Sequence, residues 1–139
     1  MTRDVHLRLD LPTEPGSIPR ARRAIEEVAP TVDELTLLNL RLLVSELVTN
    51  AVRHVPADQA QTIRLVVNRN AQGVRVEVGD RGPGFMPAPQ ADVQDRASGW
   101  GLNILARVAD RWGVENDDGA LVWFEIDVPA DGGASAATA

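Results

Sequence analysis

The chain has 139 residues, 44% hydrophobic and 24% charged, a composition typical of one globular domain. It has no cysteine and no lysine, which excludes disulfides, cysteine-ligated metals, Schiff-base or thiol catalysis, and a lysine-dependent P-loop. A net charge of −6 argues against direct nucleic-acid binding. Without an apolar leader or an apolar run of roughly 20 residues, we expect a cytoplasmic protein with no membrane segment.

The first part of the chain predicts one strand followed by two helices. Residues 5–11, VHLRLDL, alternate apolar and polar side chains, as a strand does. A helix is predicted from Ser17 to Pro30, with Pro19 in its first turn. A stronger helical pattern follows over 37–54. Its apolar residues at helical spacing are Leu37, Leu40, Val44, Leu47, Val48 and Ala51.

A hairpin and a long loop are predicted next. Residues 62–69 and 73–80 are two strands joined by the turn NAQG. Residues 81–98 contain three prolines and show no hydrophobic period, which predicts an irregular loop. Loops of this length inside a compact domain are usually functional or disordered.

The C-terminal part predicts a third helix and two more strands. Residues 101–113 return to helical spacing, and Gly113 is expected to end that helix. The segments WGVEN (112–116) and GALVWFEIDV (119–128) are predicted strands around the turn DDG.

The order of these elements predicts an α+β fold. We expect a two-layer α/β sandwich whose mixed, mostly antiparallel sheet carries helices on one face. A single domain is expected over 1–129. Residues 130–139 are small and of low complexity, so we expect a disordered tail.

Three residues at intervals of four form the first candidate motif, within the long helix. Glu46, Asn50 and His54 each advance about 40° around the helix axis, so they form a polar ribbon beside the apolar face. The amide oxygen of Asn50 is a ligand suited to Mg²⁺, and Glu46 could orient or deprotonate a nucleophile beside that ion. The alternative is the solvated edge of an amphipathic helix.

Two glycine-containing motifs follow. In DRGPGF, Asp80 could accept a hydrogen bond from an exocyclic amine, while Gly82 and Gly84 let a flat ligand approach. In SGWGL, Gly99 and Gly101 precede a predicted helix whose free amides and dipole suit a phosphate. Taken singly, the first motif is more often a plain turn, and the second is equally a plain helix entry.

In this order, ELVTNAVRH, DRGPGF and SGWGL resemble the N, G1 and G2 boxes of the Bergerat-fold (GHKL) ATPases. That superfamily includes gyrase B, MutL and histidine-kinase catalytic domains, and the resemblance covers residues 5–128. Within it the chain is most similar to the anti-sigma-factor serine/threonine kinases of the SpoIIAB and RsbW type. The resemblance therefore implies a single Bergerat-type ATP-binding domain.

The resemblance also implies a role for each motif residue. Asn50 would hold Mg²⁺, Glu46 would be the general base, and Asp80 would bind the adenine amino group. The loop 85–98 would be the lid over the phosphates. The other positions that would line the ATP site are Arg53, His54, Gly82, Gly84, Arg96, Gly99, Trp100, Gly101 and Leu102.

As a function, the resemblance implies that ATP and Mg²⁺ are used to phosphorylate a serine or threonine of an anti-anti-sigma (STAS) protein. A sigma factor would be the other, sequestered partner, and a homodimer is compatible with the family. One alternative is a nucleotide-binding regulatory module without phosphotransfer, and another is a histidine-kinase-type catalytic domain. A structural α+β domain with coincidental glycines is the third. Glu46 favours the kinase, and neither His6 nor His54 lies on a separate dimerisation helix that could offer a phosphoacceptor.

Overall fold

The structure, a computed structural model, describes residues 4–54, 62–80, 104–115 and 121–128. The elements in these ranges are β1 (Val5–Pro12), α1 (Ser17–Ile25), a 3₁₀ helix (Glu26–Thr31), α2 (Glu34–His54), β2 (Thr62–Asn70), β3 (Gly73–Asp80), β4 (Arg111–Glu115) and β5 (Leu121–Asp127). Residues 104–108 are also helical.

The five described strands form one sheet in the order β1-β2-β3-β5-β4. Each of the four neighbouring pairs is antiparallel, so the predicted mostly antiparallel sheet is antiparallel throughout this part of the chain. The β2–β3 hairpin has the predicted turn. The side-chain oxygen of Asn70 accepts hydrogen bonds from the backbone N–H groups of Gln72 (2.8 Å) and Gly73 (3.2 Å), which closes the two-residue loop.

The core lies between one face of the sheet and the helices. Alternation along each strand directs every second side chain to that face. The strand residues of the core are Leu11, Ile63, Leu65, Val67, Val74, Val76, Val78, Val122, Phe124 and Ile126. The helices and the 3₁₀ segment contribute Ala21, Ile25, Val28, Leu40, Leu43, Val44, Leu47, Val48, Ala51 and Leu105. This arrangement confirms the predicted two-layer α+β fold.

The long helix begins earlier than its apolar pattern predicted, at Glu34 rather than Leu37. Asp33 supplies the N-terminal cap: its carboxylate accepts hydrogen bonds from the hydroxyl and the backbone N–H of Thr36, the latter at 3.4 Å. The Thr36 hydroxyl lowers the pKa of Asp33 below its ordinary value, because the bond stabilises the ionised carboxylate.

A buried arginine joins β2 to the segment that precedes α2. Arg69 is 2% exposed. Its guanidinium donates to the Thr31 carbonyl (2.8 Å), the Thr31 hydroxyl (3.1 Å) and the Asn70 carbonyl. The predicted helix from Ser17 to Pro30 thus ends as a 3₁₀ turn whose last carbonyl is satisfied by a strand residue.

The prediction of a helix over 101–113 is wrong beyond residue 108. The N–H of Ala109 still donates to the Leu105 carbonyl (2.9 Å), but that of Asp110 donates to Glu125 on β5 (2.9 Å). The chain changes there from helical to sheet bonding, and β4 occupies positions within one residue of the predicted strand 112–116.

Gly113 therefore lies inside β4 and does not end a helix. It pairs with Trp123 of β5, and a Cβ at this position would meet the indole Nε1 at 2.8 Å. On the same outer face of the sheet, the Arg75 guanidinium stacks 4.4 Å from the Trp123 ring centre. The absence of a side chain at Gly113 leaves room for this indole.

Among the described residues, one helix is long and apolar enough to cross a membrane by length and composition alone. It is α2, with a mean hydropathy of 1.3 over Glu34–Arg53. One face of α2 packs in the core against the sheet, and core helices of soluble proteins meet the same criterion. Leucines on its outer face raise the mean hydropathy further.

Candidate functional site

The first predicted motif lies on α2, where that helix passes from core to solvent. Asn50 is 9% exposed and sits next to the fully buried Ala51, whereas Glu46, one turn earlier, is half-buried. The two residues are about 40° apart around the helix. An amide and a carboxylate thus lie side by side at the margin of the core, with Glu46 on the solvent side of Asn50.

The end of α2 carries the next two predicted residues. Arg53 is exposed and lies about two turns beyond Glu46, so both occupy nearly the same side of the helix. His54 is the last residue of α2; its side chain lies outside the described part of the structure. Arg53 is therefore accessible to a ligand that approaches Glu46 from solvent.

The second motif begins where β3 ends, as predicted. Asp80 is the last residue of β3 and pairs in register with Ile63 of β2. The two preceding residues, Val78 and Gly79, are buried. Since α2 packs against β3, the structure brings together the two elements that bear Asn50 and Asp80. The Asp80 side chain is not described.

The remaining predicted positions lie outside the described residues. They are Gly82, Gly84, Arg96, Gly99, Trp100, Gly101 and Leu102, together with the loop 81–98 and the tail 130–139. Their roles stay predictions. The described helical residues 104–108 follow the last of them, which places a helical segment after the SGWGL motif.

The donor set on α2 fits a nucleotide-bound magnesium ion better than a metal held by the protein alone. Within the described ranges, no group of three or more His, Asp or Glu side chains could hold a metal. Mg²⁺ usually takes one or two protein oxygens and completes its octahedron with phosphates and water. A single amide oxygen from Asn50 meets that requirement when a nucleotide supplies the rest.

Sequence reasoning missed a set of leucines on the outer side of α2. Leu35, Leu38 and Leu42 are 64%, 58% and 41% exposed. Their signal was present in the sequence, because they lie off the periodic set that forms the core face. A helix with leucines on two sides needs either a second buried face or a partner. This surface ends one turn before Glu46.

The family and structure comparisons agree with this geometry. The profile of the histidine kinase-like ATPase domain family matches residues 11–126. Among solved structures, the chain is similar to the crystal structure of the RsbU and RsbW domains of Rv1364c from Mycobacterium tuberculosis, with 22% identity and a TM-score of 0.64. That match covers 93% of this chain and 34% of the other, so this chain spans about a third of its length. No curated protein matches significantly.

Proposed function

The chain belongs to the histidine kinase-like ATPase domain family, and from this premise we propose that it binds MgATP and acts as an anti-sigma-type serine/threonine protein kinase. The Bergerat-type fold predicted from the three motifs is confirmed by the family and by the structural likeness. Within the described residues, one observation carries the proposal. Half-buried Glu46 stands one helical turn from buried Asn50, at the border between core and solvent.

In this proposal, catalysis depends on positioning and charge neutralisation without a lysine. Asn50 holds Mg²⁺, which when bound neutralises charge on the phosphates. Glu46 accepts the proton of a substrate hydroxyl while the oxygen of that hydroxyl forms a bond to the γ-phosphorus. The bond from that phosphorus to the bridging oxygen breaks, and ADP leaves. Asp80 accepts a hydrogen bond from the adenine amino group and so selects the base.

The proposed partners are an anti-anti-sigma (STAS) protein, as phosphoacceptor, and a sigma factor that the domain sequesters in the cytoplasm. The support is the sequence resemblance to the SpoIIAB and RsbW type and the structural likeness to a protein that contains an RsbW domain beside an RsbU domain. The alternative is a regulatory module that binds nucleotide and partner but transfers no phosphate. Both functions require MgATP binding. They differ in whether a phosphate is transferred with Glu46 as the base.

Nucleotide binding is tested with Asp80→Asn. We expect MgATP at about 100 times its Kd to stabilise the wild type by about 2.7 kcal/mol. In the variant the affinity falls at least about thirtyfold, because the amide cannot replace an ionised acceptor. Calorimetry and thermal melts measure both effects, and Asp10→Asn, on an exposed position of β1, is the matched control. An unchanged affinity of Asp80→Asn for MgATP would show that Asp80 does not bind the adenine amino group.

Phosphotransfer is tested with Glu46→Ala and labelled ATP. We expect this variant to bind MgATP like the wild type and to transfer no γ-phosphate to a STAS partner, because the hydroxyl proton has lost its acceptor. Glu34→Ala, an exposed carboxylate on the same helix, controls for the loss of negative charge. Full activity of Glu46→Ala excludes Glu46 as the base. A wild type that binds MgATP and the partner without transfer favours the regulatory module.

A further inference from the structure

A row of leucines on the solvent side of α2 has no partner in the core. Leu35, Leu38 and Leu42, the α2 leucine stripe, fall within an arc of about 60° around the helix. Single exposed leucines are common on protein surfaces. Three in succession on one helix face form a contiguous apolar patch of the kind that marks an interaction site.

The stripe borders a groove between α1 and α2 with a volume of about 610 Å³. Leu38 and Leu42 line one wall, Arg22 and Arg23 of α1 line the other, and Glu46 also lines the groove. The Nε of Arg22 donates to the Ser45 hydroxyl at 2.8 Å, which ties the two walls together. The groove is therefore already formed in the isolated chain.

The α1 wall is positive, although the chain as a whole is strongly acidic. Helix α1, with the sequence SIPRARRAI, has three arginines and no carboxylate, whereas the net charge of the chain is −6. Arg20, Arg22 and Arg23 are exposed and make no ion pair with any residue in the described ranges. Arg41, by contrast, is neutralised by Glu26 at 2.8 Å. The groove thus combines apolar side chains with the guanidinium groups of Arg22 and Arg23, which have no carboxylate partner among the described residues.

We propose that this groove docks an acidic amphipathic helix of the protein partner. Its apolar side chains, spaced i, i+3, i+4 and i+7, pack on the α2 leucine stripe. Its aspartates or glutamates face Arg22 and Arg23, which makes the two surfaces electrostatically complementary. From Leu35 to Glu46 the distance along α2 is about 16 Å, the length of a three-turn helix.

The position of Glu46 connects this docking surface to catalysis. The partner helix lies between the α1 arginines and Glu46, since both line the same groove. A phosphoacceptor docked in this way stands beside the proposed base. This part of the inference rests on the proposed function, whereas helix binding itself requires no nucleotide.

Two other occupants fit the groove less well. A second copy related by two-fold symmetry brings the same patch against itself and places like-charged α1 helices together. An anionic lipid surface would also match the arginines, but the residues that line the groove include no aromatic side chain of the kind that anchors a helix at a membrane interface. An acidic helix satisfies the leucines and the arginines at once.

The test uses two labelled synthetic peptides and the full-length chain. Both peptides carry leucines at positions i, i+3, i+4 and i+7. In one peptide the leucines are flanked by glutamates, and in the other by lysines. Fluorescence anisotropy should show the glutamate peptide binding at least about tenfold more tightly. Leu38→Ser should weaken that binding about tenfold or more. The double variant Arg22→Glu, Arg23→Glu should reverse the preference, while Arg8→Glu, exposed on β1, should leave it unchanged.

Several results overturn the proposal. Equal affinity for both peptides would show that charge complementarity does not select the partner helix. If Leu38→Ser binds the glutamate peptide as tightly as the wild type does, the α2 leucine stripe is not the docking surface. A dimer in sedimentation velocity that Leu38→Ser dissociates assigns the stripe to a second copy. Binding to anionic phosphatidylglycerol vesicles that Leu38→Ser abolishes, with no peptide binding, assigns it to a membrane.

MgATP melts on the same samples separate this inference from the proposed function. A chain that MgATP stabilises but that binds neither peptide disproves docking alone. A chain that discriminates the peptides but gains no stability from MgATP disproves the nucleotide function and leaves the docking surface in place. Leu38→Ser should keep the full MgATP effect, because Leu38 is about two turns from Glu46.

Discussion

Replacing Gly73 with alanine should weaken the centre of the sheet, because β5 passes too close to this residue. Gly73 begins β3 and pairs with Asp127. A Cβ built on Gly73 would lie 2.3 Å from the Ile126 carbonyl oxygen and 3.0 Å from the Asp127 Cα. Both atoms belong to the backbone, so no side-chain rotation relieves the contact. One strand has to move.

The size of the effect follows from how far the strands must separate. Carbon and carbonyl oxygen normally approach to about 3.3 Å, so the gap must widen by about 1 Å. Bonds of about 2.9 Å then exceed hydrogen-bonding distance. Losing two or three bonds at about 1 kcal/mol each, less about 0.5 kcal/mol gained when alanine replaces glycine in a strand, leaves a cost of about 2 kcal/mol. The bond from Val128 N–H to the Gln72 carbonyl (3.0 Å) is one of those at risk.

Thermal melts followed by circular dichroism measure this cost against two matched glycines. At about 4 °C per kcal/mol, Gly73→Ala should lower Tm by about 8 °C. Gly16→Ala should shift Tm by less than about 2 °C, because a Cβ there meets nothing within 4 Å. Gly113→Ala should fall between them, at about 1 kcal/mol, since its contact is the Trp123 side chain, which can move away from Arg75.

The expected order of destabilisation is Gly73→Ala, then Gly113→Ala, then Gly16→Ala. If Gly73→Ala has the same Tm as Gly16→Ala, the close contact between β3 and β5 does not constrain the residue at position 73. If Gly113→Ala is the most destabilised, the indole packing matters more than the backbone contact.

Two further substitutions test the ends of the 3₁₀ segment and of α2. Asp33→Ala should cost about 1 kcal/mol at neutral pH by removing the cap of α2. Because folding lowers the pKa of Asp33, this contribution is present above its ordinary value of 3.8 and is lost as pH falls below it. Urea unfolding at pH 7 and pH 3 should thus show the difference shrinking; a difference independent of pH contradicts the assignment. Arg69→Lys should cost about 2 kcal/mol in the same assay, because an ammonium cannot serve both Thr31 acceptors and a third carbonyl. Hydrogen exchange at 26–31 that stays as slow as in the wild type would show that Arg69 does not hold this segment.

Local patterns in the sequence were sufficient for most elements of the fold. Alternation predicted β1, two strand-like segments around the turn NAQG predicted the β2–β3 hairpin, and helical spacing of core residues predicted α2. The start of α2 was placed late because Asp33 and Thr36 act through a cap rather than through apolar periodicity.

Long-range contacts account for the errors. After residue 108 the chain keeps an apolar spacing that suits a helix, yet Asp110 bonds to a strand that follows it in sequence. Gly113 was interpreted as a helix end, whereas its lack of a side chain serves Trp123 across the sheet. Neither pairing leaves a local mark in the sequence, since register is set by the assembled sheet.

In the candidate site, too, local sequence patterns predicted some features, whereas others depend on long-range packing. The spacing of Glu46 and Asn50 predicted that they share one side of α2, and the end of β3 predicted the position of Asp80. The exposed leucines of α2 were not predicted, although Leu38 lies off the helical spacing of the core residues and Leu40 lies on it. Their exposure became clear from the packing of α1 and the sheet.

The strand order also bears on how this domain can change during evolution. β3 and β5 are neighbours in the sheet, although residues 81–120 separate them along the chain. Entropy penalises loop closure only logarithmically, so doubling such a connection costs about 0.6 kcal/mol. Insertions and deletions that spare the helical residues 104–108 and β4, which also lie in this connection, are therefore cheap for the sheet. The region that carries two of the three motifs can diverge in length while the scaffold that holds Glu46 and Asn50 is retained.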